Sequence, residues 1–217
     1  MDLVMQVASK RARVAAVATM PISRKGALTR LAILDCALQI AGRDGLEGLT
    51  IGTLAEQMEM SKSGVIAHFG SREELQIAVL REYQRRFVDH VFLPALQQTR
   101  GLPRLQTMVQ NWLEHVSDPK KHGCLFVSSA VEYDDRPGAL RNLLVEIVRA
   151  WQDEIQRAIR QAIEVGHLQV ETDPAQLMFE LYGVVLAAHH ERRLLGASES
   201  AVHMRKSFNR LLESYRT

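Results

Sequence analysis

Apolar positions recur at helical spacing along almost the whole chain, and residues 50–69, TIGTLAEQMEMSKSGVIAHF, carry the most informative pattern. Ile51, Leu54, Ala55 and Met58 stand at i, i+3, i+4 and i+7, the spacing of one helix face. Thr50 is placed as an N-cap, with Leu49 before it and Leu54 at the position of a hydrophobic staple. Ser61 caps again after Met60, and Val65 is spaced to meet Met60 as a second staple. Val65 and Phe69, four residues apart, face inward. The pattern predicts two short helices joined by a tight turn, the helix-turn-helix that sets its second helix in a DNA major groove. Lys62, Ser63, Gly64, Ile66 and Ala67 are left on the outer side, a small and nearly acid-free face suited to base edges and phosphates.

The same periodicity predicts helices on either side. Upstream, a helix over residues 28–42 has Ile33, Leu34, Ala37, Leu38 and Ala41 as its core stripe, ended by Gly42 and Gly45. These glycines match no nucleotide-binding spacing, and no strand precedes them. Downstream, Gly70 turns the chain and Ser71 with Glu74 forms a capping box. The helix it opens should continue to about residue 93, where Pro94 bends or ends it. Leu105, Met108, Val109, Trp112, Leu113 and Val116 make the next stripe, closed by Asp118 and Pro119. Residues 124–132 fit helix or strand by pattern and are assigned to helix because every neighbour is helical. A turn at residues 134–138 leads to one long helix over 140–165, ended by Gly166. Asp173 and Pro174 open another, with Leu177, Leu181, Val184, Val185 and Ala188 on its apolar face. A last helix over 198–215 carries Val202, Phe208, Leu211, Leu212 and Tyr215.

Composition changes this picture little. The chain has 217 residues, 47% apolar and 24% charged, as in an ordinary globular protein with one or two domains. Charge distribution says more than the net +2. Residues 1–30 hold Lys10, Arg11, Arg13, Arg24, Lys25 and Arg30 against the single acid Asp2. Residues 1–26 therefore read either as a basic arm along a DNA backbone or minor groove, or as a solvated tail. Arg24 and Lys25 are the members expected to reach DNA. The weakly charged run 14–23 is too short for a membrane span or secretory signal, and a mitochondrial-type presequence is the poorer reading of the arginines and alanines. Cys36 and Cys124 lie far apart in apolar stretches, which suits free thiols in a reducing cytoplasm.

Candidate catalytic chemistry is thin. His189, His190 and Glu191 are consecutive, so on a helix they diverge and cannot share one metal ion. Asp134 and Asp135 suit a turn, and His122 beside Cys124 is no nucleophile–base geometry. No metal, cofactor or catalytic set is expected. A helical enzyme or small-molecule carrier stays as the contrasting class, to be recognised by turnover of a ligand. Met108, Trp112, Phe126, Trp151, Met178, Phe179 and Tyr182 are core by default, yet helical bundles form pockets from such side chains.

From Ala27 to Arg86 the chain resembles the tetracycline-repressor (TetR) family of bacterial transcription regulators. The ordered segments ILDCALQIAGRDG, LTIGTLAEQM, SKSGVIAHF and SREEL carry the resemblance at matching spacing. The resemblance implies an all-α fold, with a three-helix helix-turn-helix domain at 27–87 and a helical effector-binding and dimerisation domain at 88–217. It implies DNA contact by Arg24, Lys25, Thr50, Ser61, Lys62, Ser63, Gly64, Ile66, Ala67, His68 and Arg72. His68 and Arg72 enter because their family counterparts hold phosphates; Arg72 is also misplaced for the helix dipole, which suggests another purpose. Ile66 stands where the family usually has an aromatic residue, and Gly64 where it usually has threonine. Ile66 cannot donate to a phosphate but can touch a thymine methyl. The implied partners are a palindromic double-stranded operator, a second copy of the chain and a small effector. The seven aromatic and methionine residues above are the pocket candidates. Leu177, Leu181, Val184, Val185, Ala188, Val202, Phe208, Leu211 and Leu212 are the dimer-interface candidates, or else they close the monomer core. The implied activity is that of a cytoplasmic transcription regulator, not an enzyme: a repressor released from DNA by its effector, or else one that activates or stays DNA-bound without an effector.

Overall fold

The computed structural model describes residues 24–118 and 122–217. The basic arm up to residue 23 and Pro119 therefore lie outside the described residues, and for Arg24 and Lys25 only the helical backbone is described. The described residues form helices and turns, with one isolated antiparallel bridge between Leu168 and Arg216.

Helix α1 (Arg24–Gly48) starts earlier and ends later than the periodicity predicts. Gly42 does not stop it, because an interior glycine costs only about 1 kcal/mol against alanine and Ile40, Ala41 and Leu46 around it are fully buried. The break falls at Gly45, whose backbone is left-handed at φ 78°. A Cβ there would be strained and would also overlap the Glu132 carboxylate. Of the expected stripe, Leu38 is only half-buried, and Ile40 takes its place in the core.

Helices α2 (Ile51–Gln57) and α3 (Lys62–Phe69) follow as expected. Helix α4 (Arg72–Phe87) passes into a π-helical turn, Val88–Phe92, and a short α turn, Leu93–Ala95. The change of pitch comes before Pro94 rather than at it. Proline has no N–H to give to the preceding turn, and a π turn is one way for a helix to absorb that loss. There the Asn111 amide donates to the Val91 carbonyl at 3.0 Å. Helices α5 (Leu102–Ser117), α6 (Leu125–Tyr133), α7 (Ala139–Glu164), α8 (Pro174–Arg193) and α9 (Ser200–Ser214) complete the described chain. None of the described helices is long and apolar enough to cross a membrane.

The chain divides into two compact units that are not consecutive in sequence. The first runs to Arg86 and takes back residues 128–147; the second holds 87–127 and 148–217. Residues 128–147, which the expected block 88–217 includes, thus pack with the first unit. Residues 128–147 join the head through polar bonds from Glu132 and Tyr133 to the end of α1, which no local pattern announces. The core of the first unit is built on Ile33, Ala37, Leu49, Leu54, Val65 and Leu80. That of the second is built on Phe87, Phe92, Trp112, Trp151, Leu181 and Phe208.

Candidate nucleic-acid interface

The reading head is made of short helices whose ends are fixed by side chains. Thr50 and Thr53 cap α2 reciprocally: Thr53 N–H donates to Thr50 Oγ1 at 3.0 Å, and Thr50 N–H donates to Thr53 Oγ1 at 3.1 Å. Ser61 caps α3 by accepting from Gly64 N–H at 3.1 Å. Ser71 caps α4 by accepting from Glu74 N–H at 3.1 Å. Between α2 and α3 the turn passes through Glu59 in a left-handed conformation, φ 52°. Met60 N–H there reaches back to the Ala55 carbonyl at 2.9 Å. These bonds set the angle at which α3 leaves the turn, so a helix of two turns has a defined outer face.

On that face Ser61, Lys62, Ser63, Ile66 and Ala67 are exposed, and Gly64 and His68 are half-buried. Ile66 is 45% exposed. Val65 and Phe69 point the other way into the core. Lys62 extends back over Gly52 at the start of α2. Thr50 and Ser61 spend their hydroxyl lone pairs on the caps but keep access to solvent. Arg30, not among the expected DNA contacts, lies over the Phe69 ring at 4.7 Å, a cation–π contact that ties α1 to α3.

Arg72 has a tertiary role that sequence did not reveal. Its Nε donates to the Leu49 carbonyl at 3.2 Å, and its Nη2 to the Glu47 carbonyl at 2.6 Å and the Glu47 carboxylate at 3.1 Å. The misfit with the helix dipole is therefore answered inside the protein, where the guanidinium takes the carbonyl of Glu47 in the last turn of α1 and that of Leu49 just beyond it. Its side chain is still 42% exposed. Glu47 in turn accepts from the Tyr133 hydroxyl at 2.6 Å and pairs with Arg136 at 3.2 Å. The bond from Tyr133 holds the Glu47 carboxyl below its ordinary range, with Arg72 and Arg136 adding to the effect. Burial, then the neighbouring Glu47, pushes the Tyr133 phenol above its ordinary value. The Glu132 carboxylate accepts from Leu46 N–H at 3.2 Å and Glu47 N–H at 3.0 Å, and the buried Gln76 amide donates to the Leu46 carbonyl at 2.6 Å.

The second unit holds most of the other candidates. Trp112 and Trp151 meet edge-on at 4.6 Å, and Tyr182 stacks on Trp112 at 6.0 Å. Met108, Phe126 and Met178 are buried in the same unit. Phe179 is a correction: it is 73% exposed, because it lies on the face of α8 opposite Leu177, Leu181 and Val185. The indole N–H groups of Trp112 and Trp151 and the His189 Nε2 are buried without a hydrogen-bond partner. Burial, then Arg193 and His190, lowers the His189 pKa.

The dimer candidates divide by burial. Leu177, Leu181, Val185, Ala188, Phe208 and Leu212 are buried within the chain's own unit, so they close its core. The stripe chosen for its apolar character is the one a helix turns toward its own neighbours. What α8 and α9 leave outward is a groove of about 690 Å³, lined among others by Gly183, Val184, Ala187, Ser207 and Leu211. Val202 is exposed on α9.

The family described as "Bacterial regulatory proteins, tetR family" matches residues 33–79. The family described as "Tetracyclin repressor-like, C-terminal domain" matches residues 101–208. The chain belongs to the TetR family. Its head and C-terminal domain are those of a DNA-binding transcriptional regulator. No curated protein matches the chain in sequence. Among solved structures, a TetR transcriptional regulator from Chloroflexus aurantiacus is 21% identical, with 88% of this chain and 96% of that chain covered, at a TM-score of 0.77. A putative transcriptional regulator from Saccharomonospora viridis, solved with choline, is 19% identical, with 86% and 96% covered, at a TM-score of 0.72. AibR, solved with isovaleryl coenzyme A and operator DNA, is 19% identical, with 84% and 95% covered, at a TM-score of 0.65. The stretch 128–147 falls inside the C-terminal family match yet packs with the DNA-reading head of this TetR chain.

Proposed function

We propose that this TetR-family protein is a homodimeric repressor that reads a palindromic operator with α3 and leaves it when a small molecule occupies the C-terminal domain. The observation that carries the reading is the outer face of α3, where Lys62, Ser63, Ile66 and Ala67 are exposed on a helix fixed at its start by Ser61. Lys62 supplies charge to phosphate, Ser63 and Ala67 admit close approach, and Ile66 offers an apolar surface to a thymine methyl. Arg24, Lys25, Thr50, Gly64, His68 and Arg72 complete the footprint. A single helix reads few base pairs, so two heads at successive major grooves supply the affinity. The outward groove of α8 and α9, with small residues at Gly183, Ala187 and Ser207, is the face through which the copies pair.

Effector binding draws support from the unpartnered donors near the Trp112–Trp151–Tyr182 cluster. A buried N–H without an acceptor is costly, and an indole nitrogen can only donate. A ligand with an apolar body and acceptor oxygens satisfies both. It changes DNA affinity only as far as it prefers one spacing of the heads. The test is selection from a random pool of double-stranded DNA, with affinities measured at two salt concentrations. Enrichment of a two-fold palindrome is expected. Salt-sensitive binding without enrichment, or no binding, would overturn the operator-reading function.

A further inference from the structure

The corner where α1 ends is bonded to two residues about 86 positions away in sequence. Glu132 takes the N–H groups of Leu46 and Glu47, and Tyr133 gives its hydroxyl to the Glu47 carboxylate. Gly45 is what lets the Glu132 carboxylate come so close. On its other side Glu47 holds Arg72, the first residue of α4. The chain of contacts is therefore Tyr133 to Glu47 to Arg72, with Glu132 and Gln76 fixing the backbone beneath it. Resting on the DNA-binding reading above, we propose that Tyr133 and Glu132 are positioning residues for DNA binding. They hold Glu47 so that Arg72 is set in advance to meet a backbone phosphate.

Three observations support this direction. Arg72 makes its bonds through Nε and Nη2, which leaves Nη1 for an outside acceptor on a side chain that stays partly exposed. A guanidinium tied at two of its nitrogens loses less freedom on binding an anion than a loose one. Leu49, whose carbonyl Arg72 holds, immediately precedes the Thr50 cap of α2, so the same bonds fix the entry to the helix-turn-helix. Glu132 and Tyr133 also lie in the segment that the C-terminal family match covers. A ligand-driven shift of that segment has a direct route to a DNA contact.

A double-substitution cycle on the full-length protein tests the proposal, using the DNA fragment enriched by selection and fluorescence anisotropy at several salt concentrations. Arg72→Ala should reduce the salt slope by about one unit. Tyr133→Phe, which keeps the ring and removes one hydroxyl, should weaken binding on the order of fivefold. In the Arg72→Ala background Tyr133→Phe should cost nothing further, because its effect passes through Arg72. Losses that multiply, or a Tyr133→Phe protein that binds like the parent, would overturn the positioning role while leaving the DNA-binding function standing. Failure of the unsubstituted protein to bind any DNA would overturn both. Hydrogen exchange provides a readout that needs no DNA. Glu132→Ala should speed exchange at Leu46 and Glu47, and Glu132→Gln should restore much of the protection. Unchanged exchange in Glu132→Ala would remove Glu132 from the device.

Discussion

The head and the second unit settle their polar groups in opposite ways. In the head, Thr50, Ser61, Ser71, Glu132 and Gln76 each bond a backbone group at a helix end or corner, and Arg72 closes two carbonyls. In the second unit the centre is aromatic, and five buried side-chain polar atoms, on Arg104, Trp112, Trp151, Thr172 and His189, have no partner, against one, Ser129 Oγ, in the first unit. A surface that must match a rigid groove needs its backbone fixed, and short helices gain that from caps because their small faces bury little. The proposed effector would supply acceptors to the unpaired indole donors of the second unit. The difference teaches where each unit is vulnerable: the head at its bonds and turns, the second unit at its volume.

The largest effect expected is therefore in the second unit. Trp112→Ala removes a fully buried ring that touches Phe87, Trp151 and Tyr182, and should cost about 3–5 kcal/mol of unfolding free energy. Denaturant titration measures it, and a loss below about 1 kcal/mol would mean the cluster is loosely packed. In the head, Gly45→Ala should cost roughly 1–3 kcal/mol, from left-handed strain at φ 78° together with overlap on Glu132. A neutral result would show that the corner bends freely. Ser61→Ala should cost about 1 kcal/mol through the lost cap of α3. It should also weaken DNA binding more than its effect on melting explains.

The smallest effects separate the two units by pH. Glu47 has its carboxyl held low in the folded state, so its contribution is present above the ordinary glutamate pKa and is lost as pH falls through the folded value. Glu47→Gln should therefore melt lower than the parent at pH 7, with the gap closing below about pH 4. His189 is held neutral by burial, so the unfolded chain takes up its proton first as pH falls below about 6.5, and stability declines from there. His189→Gln should flatten the fall in melting temperature between about pH 7 and pH 5. Melting curves across pH check both. If the two variants alter the same window, the head and the second unit do not titrate independently.

How much was legible in the sequence follows from the range of each interaction. The caps at Thr50, Ser61 and Ser71 and the inward stripe of Val65 and Phe69 are written within four residues, and the structure has them in place. The stripe of α5, from Leu105 to Val116, is likewise buried as its period requires. Where a helix had two apolar options, periodicity failed. It left Leu177, Leu181 and Phe208 open between a partner and the chain's own core, where they are buried, and Phe179 between core and pocket, whereas it is exposed. Period alone says which residues share a face, not what that face meets.

By itself, then, the sequence determined the helical class, the helix-turn-helix and the exposed identity of Lys62, Ser63, Ile66 and Ala67, because caps and a 3.6-residue period act over a turn or two. Only the tertiary structure decided that residues 128–147 belong with the head, and that Glu132 and Tyr133 hold the corner on which Arg72 rests. Those bonds join groups about 86 residues apart, and they exist only once a left-handed glycine lets a carboxylate approach the backbone. No local propensity encodes such a meeting; it is fixed by how the helices pack.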